Sequence, residues 1–340
     1  MKAPTKLIAR TLALSFIVSL VSCGGGGGSN SVTTSAAPAA TPVPVVTSFT
    51  AVAMPGEMLT YSLDSTNLTY SYSITDSQYG LNGKTGSGIL VKNSDGTYSP
   101  AGISNAKIVI LPNGLLLGAI RETISGVLTT IPIYGMSSPV SDIASGAATY
   151  NFVQRTCLSG ACNSAYGTFV IKSDATWSSC PSGDITKGCL GTINSGTLNS
   201  LGAGKWQVLS GATNIGTAIM MNSSGQNVVI LDLKDTRVGG YGVGFLIGSS
   251  QQAIDSTKTD GTWVAASTTG AWGVMAASGA KLSSMSVNGM ASTATSTLTF
   301  DSPWIGMATA ASGGHGLLAG TGVYVYENTG GYAELGVKIN

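Results

Sequence analysis

The five cysteines are the residues whose spacing says most about chemistry. Cys23 stands alone near the start, whereas four others cluster in the middle of the chain: Cys157, Cys162, Cys180 and Cys189. In an exported protein an even set of this kind predicts two disulfides. Three pairings are open, and we favour the local ones, Cys157–Cys162 and Cys180–Cys189. A zinc site is the alternative, which the lack of a nearby histidine disfavours.

Catalytic residue types are scarce. His315 is the single histidine and lies among glycines in a segment that reads as a loop, with no Gly-x-Ser-x-Gly elbow elsewhere. A catalytic triad and a histidine-rich metal site are therefore not expected. Asp232, Asp235 and Glu334 lie near strand segments, which leaves a carboxylate pair for hydrolysis as a minor alternative. We predict no catalytic residue, no metal and no cofactor.

Three tryptophans, Trp263, Trp272 and Trp304, are the candidate ligand contacts. In a weakly charged β-protein such rings can line a cleft for a sugar or another small ligand. The alternative, which we favour, places them in the core.

The charge balance excludes one large class of partner. Charged residues make up only 9% of the chain, against roughly 25% in ordinary soluble proteins. Without Lys2, Lys6 and Arg10 of the N-terminal segment, 16 basic residues become 13 against 15 acidic ones, a formal charge near −2. Nucleic-acid binding needs a basic face that neutralises phosphates, so it is not expected.

Residues 1–22 read as an export signal. Three basic residues precede an apolar run, Leu12–Leu20, which at about nine residues is too short to span a bilayer. Residues 23–46 follow as a tether, with a glycine run at Gly24–Gly28 and then Pro38, Pro42 and Pro44. A flexible chain of roughly 20 residues reaches about 25 Å.

Leu20-Val21-Ser22-Cys23 resembles the lipobox of bacterial lipoproteins. The resemblance implies cleavage before Cys23, lipid on its thiol and anchoring in a membrane, and Gly24 in the next position implies the outer membrane. The lipobox with its glycine run also resembles that of transferrin-binding and factor-H-binding surface lipoproteins.

The remaining chain alternates short β-branched or aromatic runs with Gly, Asn, Asp and Ser clusters, which predicts an all-β antiparallel meander. Hairpins are expected around 112–114, 222–225 and 328–331. A further turn signal occurs three times, at 94–98, 173–177 and 259–263. We interpret it as recurrent turn chemistry, with duplication of a meander unit as the alternative.

We place a module boundary in the small, polar stretch between 140 and 147. Residues 47–140 are expected to form a small β-sandwich-like module, and residues 147–340 a β-barrel-like module holding both disulfides. The stretch Gly330–Gly336 resembles the closing strands of the surface lipoproteins' eight-stranded barrels, which implies a calycin-like barrel.

These features favour a lipid-anchored, non-enzymatic binding or adhesion module at the outer membrane, facing the cell surface or the periplasm. Its ligand would be a protein or a glycan. A structural or assembly lipoprotein facing the periplasm is the alternative, and a carboxylate-dependent hydrolase is the second.

Overall fold

A computed structural model describes residues 45–124, 126–158, 161–223, 225–234, 243–328 and 330–340. These residues belong to one compact unit, Val43–Asn340, that is almost entirely antiparallel β-structure. The prediction of an all-β antiparallel fold with a barrel is confirmed. No helix among the described residues has the length and apolar character to cross a membrane.

The strands form three successive antiparallel meanders of eight, eight and nine strands, which we call the N-terminal, central and C-terminal barrels. The N-terminal barrel contains β1 (Val46–Ala53), β2 (Glu57–Asp64), β3 (Thr69–Ser77), β4 (Thr85–Lys92), β5 (Tyr98–Pro100), β6 (Val109–Ile110), β7 (Leu115–Ile124) and β8 (Val127–Met136). Its last strand returns to pair with β1, and a single bridge between Tyr98 and Ile108 joins β5 to the start of β6.

The central barrel is closed by pairing between its first and last strands, β9 and β16. A short helix, α1 (Ile143–Gly146), precedes it, and a 3₁₀ turn (Ile185–Lys187) lies between its third and fourth strands. The strands are β9 (Ala148–Leu158), β10 (Ala161–Ile171), β11 (Thr176–Pro181), β12 (Asn194–Gly202), β13 (Lys205–Ser210), β14 (Thr213–Ser223), β15 (Gln226–Lys234) and β16 (Val243–Ser250).

The C-terminal barrel follows a short helix, α2 (Ser256–Thr259). Its sheet closes through β17–β25 and β18–β19 pairings, and the two-residue β20 attaches to β19. The strands are β17 (Gly261–Ser267), β18 (Trp272–Ser278), β19 (Lys281–Val287), β20 (Met290–Ala291), β21 (Thr295–Phe300), β22 (Met307–Ala310), β23 (His315–Leu318), β24 (Val323–Glu327) and β25 (Ala333–Lys338).

Two finer expectations differ from the structure. The N-terminal sheet, expected to be sandwich-like, is barrel-like, and the range 147–340 holds two barrels where one was expected. The turn signals predict which consecutive strands pair with each other. Closure depends instead on strand pairs far apart in the chain, such as β1–β8 and β17–β25, which short-range signals do not encode.

The alternation of side chains along each strand builds four apolar clusters. In each barrel, side chains on the inner face of the sheet fill the interior. Side chains on the outer face pack into a cluster that all three barrels share. In β15, for example, Leu231 and Leu233 belong to the interior, while Val228 and Ile230 belong to the shared cluster. This explains why strands such as β15 read as continuous apolar runs, since both faces are buried.

The repeated turn signal has two structural outcomes. The Asp95 and Asp174 carboxylates each accept hydrogen bonds from the backbone and hydroxyl of the threonine two residues later, in the β4–β5 and β10–β11 hairpins. The third copy is not a hairpin, because Asp260 caps α2 and Gly261 begins β17. The hairpins predicted around 112–114, 222–225 and 328–331 do join β6–β7, β14–β15 and β24–β25.

Candidate ligand-binding site

The interior of the central barrel is incompletely filled. A cavity of about 350 Å³ remains within it, within the usual size range of small-molecule sites. The part of this lumen away from its open end, which we call the lower lumen, is apolar. Inward positions on successive strands there carry Phe152, Phe169, Ile171, Leu198, Val208, Ala218, Val229 and Leu246. Small side chains at positions such as Ala218 leave the space that larger residues would occupy.

Polar side chains are concentrated at one end of the lumen, which we call the mouth. They come from the C-terminal ends of β9, β11 and β13 and from the N-terminal ends of β12 and β14. In an antiparallel meander these ends meet on the same side of the barrel. The residues are Gln154, Thr156, Ser179, Asn194, Ser210 and Thr213, and we call this set the polar ring.

The opposite end is closed by residues 140–147, the stretch in which we predicted a module boundary. Val140 and Ile143 pack against the interior cluster. The Val140 carbonyl accepts a hydrogen bond from the Trp206 indole at 3.2 Å, and the Tyr150 hydroxyl donates to the Gly146 carbonyl at 2.5 Å. This segment therefore acts as a plug, and the polar ring surrounds the open end.

Both disulfides lie at the mouth, and the predicted local pairing is confirmed. Cys157–Cys162 spans the hairpin between β9 and β10, and Cys180–Cys189 ties the β11–β12 loop back to β11. Loops at a barrel mouth have few packing partners, so these short cross-links hold them in position.

Exposed apolar residues also lie at this end. Leu190 is fully exposed in the β11–β12 loop, and the neighbouring Ile193 and the β9 terminus at Leu158 are also exposed. Exposed large apolar side chains at one end of a barrel are typical of an interaction surface.

The C-terminal barrel has a second cavity, of about 340 Å³, with different chemistry. Glu334 points into it and accepts hydrogen bonds from the Tyr324 and Tyr332 hydroxyls. Burial and the Glu334 carboxylate raise the pKa of both tyrosines, so both remain neutral donors. The loop between β24 and β25 borders this cavity, and its Gly331 carbonyl accepts a hydrogen bond from Arg155 beside the central barrel's mouth.

The three candidate tryptophans are buried in separate places. Trp263 fills the interior of the C-terminal barrel, where its indole donates to the Thr259 carbonyl at 3.0 Å. Trp304 lies in the shared cluster and donates to Asn151 at 2.9 Å. Trp272 borders the C-terminal cavity, and its indole nitrogen has no partner among the described residues. The tryptophan that lines the central lumen is a different one, Trp177, which is half-buried.

His315 occupies an interface and is not in a loop. It begins β23, stacks on Tyr166 of the central barrel with ring centroids 3.6 Å apart, and faces Glu327 with Nδ1 3.3 Å from Oε1. Burial lowers the pKa of the imidazole and raises the pKa of the Glu327 carboxyl. Both shifts favour a neutral pair that packs between two barrels.

Two buried carboxyls, Glu57 of the N-terminal barrel and Asp232 of the central barrel, are close enough for the charge of one to affect the other. Glu57 and Asp232 are both inaccessible to solvent. The Glu57 Oε1 atom accepts a hydrogen bond from the Gln78 backbone N–H at 3.1 Å, whereas neither oxygen of Asp232 has a hydrogen-bond partner among the described residues. Burial, and secondarily the charge of Glu57, raises the pKa of Asp232 to about 8. An ion pair between Lys234 and Asp76 lies nearby.

Asp232 and Glu334, the two described carboxyls among those predicted near strands, do not converge on one cleft. Asp232 lies on the outer face of the central barrel and Glu334 lies inside the C-terminal barrel, while Asp235 is outside the described residues. No group of three or more His, Cys, Asp or Glu side chains placed to hold a metal occurs in the part of the chain that the structure describes. Cys23, the signal 1–22 and the tether as far as residue 44 lie outside that part.

Comparisons with known proteins add little. No family model matches the chain, and no curated protein matches it. A protein with unknown function from the DUF3598 family of Nostoc punctiforme PCC 73102 shares 11% identity over 60% of this chain and 94% of its own, with a TM-score of 0.25. The β subunit of DNA polymerase from Streptococcus pyogenes shares 8% identity over 86% of this chain and 91% of its own, with a TM-score of 0.11. At these TM-scores neither likeness bears on function.

Proposed function

We propose that this protein is a lipid-anchored, non-enzymatic binding protein of the outer membrane that holds a small apolar molecule in the lumen of its central barrel. The observation that carries the proposal is the lumen itself, which is plugged at one end, apolar along its length and rimmed by polar side chains at the other. Binding of an apolar molecule there removes it from water, and each CH₂ group buried contributes about 0.8 kcal/mol.

The N-terminal sequence supports the anchoring part of the proposal. A lipidated Cys23 followed by a flexible tether of about 25 Å would hold the barrels close to a membrane. The anchored body could then exchange apolar molecules with lipid or with another envelope protein over a short distance.

Binding of Nile red, a neutral apolar dye, tests the site on purified protein. Ala165 lines the lumen near Gln154, so Ala165→Trp places an indole in the cavity. We expect a rise in Kd of at least tenfold, about 1.4 kcal/mol. Ala212→Trp, in the exposed turn before β14, is the matched control and should bind as the parent does.

Thermal unfolding of each variant confirms that the barrel has folded, and Ala218→Met fills the deeper lumen as a second blocking variant. If both blocking variants bind Nile red as tightly as the parent, the lumen is not the site. Mass spectrometry of organic extracts from purified protein then identifies the natural occupant.

Protease treatment of intact cells tests which way the body faces, with an epitope inserted after Asn328 and a periplasmic protein as control. Digestion in intact cells would support surface display. Protection until the outer membrane is opened would support a periplasmic orientation.

A further inference from the structure

Among the described residues, none of those that line the lumen of the central barrel carries an ionisable side chain. Each of them is apolar or carries a neutral alcohol, amide or indole. Charged residues do occur on the same strands, but the alternation of side chains directs them outward. Arg155 lies between two members of the polar ring and donates to the Gly331 carbonyl outside the barrel. Lys234 follows the lumen residue Leu233 and pairs with Asp76 of the N-terminal barrel.

The six members of the polar ring are free to bind a ligand. Among the described residues, none of their side chains makes a hydrogen bond within the protein, although each carries a hydroxyl or an amide. The amides of Gln154 and Asn194 can both donate and accept, as can the four hydroxyls. The ring therefore matches a polar group that needs hydrogen bonds but no counter-charge.

An ionised ligand would be costly in this lumen. A charge moved from water into a weakly polar space without a partner loses its hydration, and the described residues that line the lumen offer no opposite charge to compensate. Asp232, in the wall of the same barrel, shows the direction of this effect, because burial with no hydrogen-bond partner among the described residues favours its neutral form.

From these observations we propose that the lumen selects an uncharged amphiphile, with an apolar body in the lower lumen and a non-ionised polar group, such as a hydroxyl, ester or amide, at the polar ring. This inference rests on the proposed function and specifies its ligand class. It excludes fatty-acid anions and alkylammonium cations as the natural ligands.

Displacement of Nile red by three compounds with the same chain tests the inference: decanol, decanoate and decylamine at neutral pH. We expect decanol to displace the dye at a concentration at least tenfold lower than either charged compound. Equal or stronger displacement by decanoate or decylamine would overturn the inference, as would failure of all three to compete with bound dye. A protein that does not bind Nile red at all would instead refute the proposed function.

Reversal of the selectivity provides a second test. Gln154→Lys introduces a cation into the polar ring, so decanoate should gain at least tenfold in affinity relative to decanol. Asn199→Lys adds the same charge on the exposed outer face of β12 and should leave the ratio unchanged. An equal change in both variants would show that the overall charge of the protein, and not the lumen, sets the preference.

Discussion

Asp232→Asn is the substitution whose effect follows most directly from the structure. The carboxyl is inaccessible to solvent, neither oxygen has a hydrogen-bond partner in the part of the chain that the structure describes, and Glu57 adds a second acidic group nearby. Burial raises its pKa from 3.8 to about 8, so the folded protein retains a proton that the unfolded chain releases near pH 4. Stability should therefore be highest at low pH and should fall as pH rises through this window.

The magnitude follows from the shift. Each pKa unit corresponds to about 1.4 kcal/mol, so at about pH 7, roughly three units above the unfolded pKa, Asp232 lowers the free energy of unfolding by about 4 kcal/mol. Asparagine has the same shape but cannot ionise, and its buried amide is desolvated much as the protonated carboxyl is. We therefore expect Asp232→Asn to raise stability near pH 7 by a few kcal/mol.

Urea unfolding followed by tryptophan fluorescence at several pH values between about 4 and 8 measures this effect. The free energy of unfolding of the parent should fall as pH rises, and that of the variant should fall much less. Some dependence on pH should remain because burial also raises the pKa of Glu57. Asp174→Asn is the control, because that carboxylate is exposed and its hydrogen bonds to Thr176 lower its pKa. A parent whose stability is constant or rises with pH over this range would refute the reasoning.

Three further predictions test other parts of the molecule. Replacement of Cys180 and Cys189 together by serine should lower the free energy of unfolding by about 2–3 kcal/mol, measured by urea unfolding, and should make the β11–β12 loop more sensitive to protease. Trp304→Ala should cost about 3–5 kcal/mol in the same assay, because it removes a buried ring and leaves the Asn151 amide oxygen without its indole donor. Cys23→Ser should abolish incorporation of labelled palmitate and release the protein from the membrane fraction, and retention of the label would contradict lipidation at this position.

The sequence predicted the local features of the fold well. Asn-Gly and Asp-Gly turns between β-branched runs predicted several hairpins, and the spacing of the cysteines led to the observed local disulfides. The lumen was not predictable in this way. Its lining comes from all eight strands of the central barrel, and none of them carries a motif that distinguishes Trp177, which lines it, from Trp263, which fills an interior.

His315 and Asp232 show a second limit. The glycines around His315 predicted a loop, yet the residue begins a strand and packs on Tyr166 of another barrel. The burial of Asp232 arises because β15 is covered on both faces, by the barrel interior on one side and by the N-terminal barrel on the other. Both environments depend on contacts between barrels, which the pattern within one strand does not specify.

The three barrels share one topology but fill their interiors differently, and this difference locates the proposed binding site. In the N-terminal barrel, tyrosines at Tyr61, Tyr70 and Tyr72 occupy the interior, and Tyr61 and Tyr70 stack with centroids 5.7 Å apart. The corresponding space in the central barrel remains open beside alanines such as Ala165 and Ala218. An apolar cavity lacks the packing contacts that stabilise a filled core, so its presence in the central barrel carries a stability cost. A ligand that restores those contacts would recover that stability, and Nile red or decanol should therefore raise the Tm of the parent but not of Ala165→Trp.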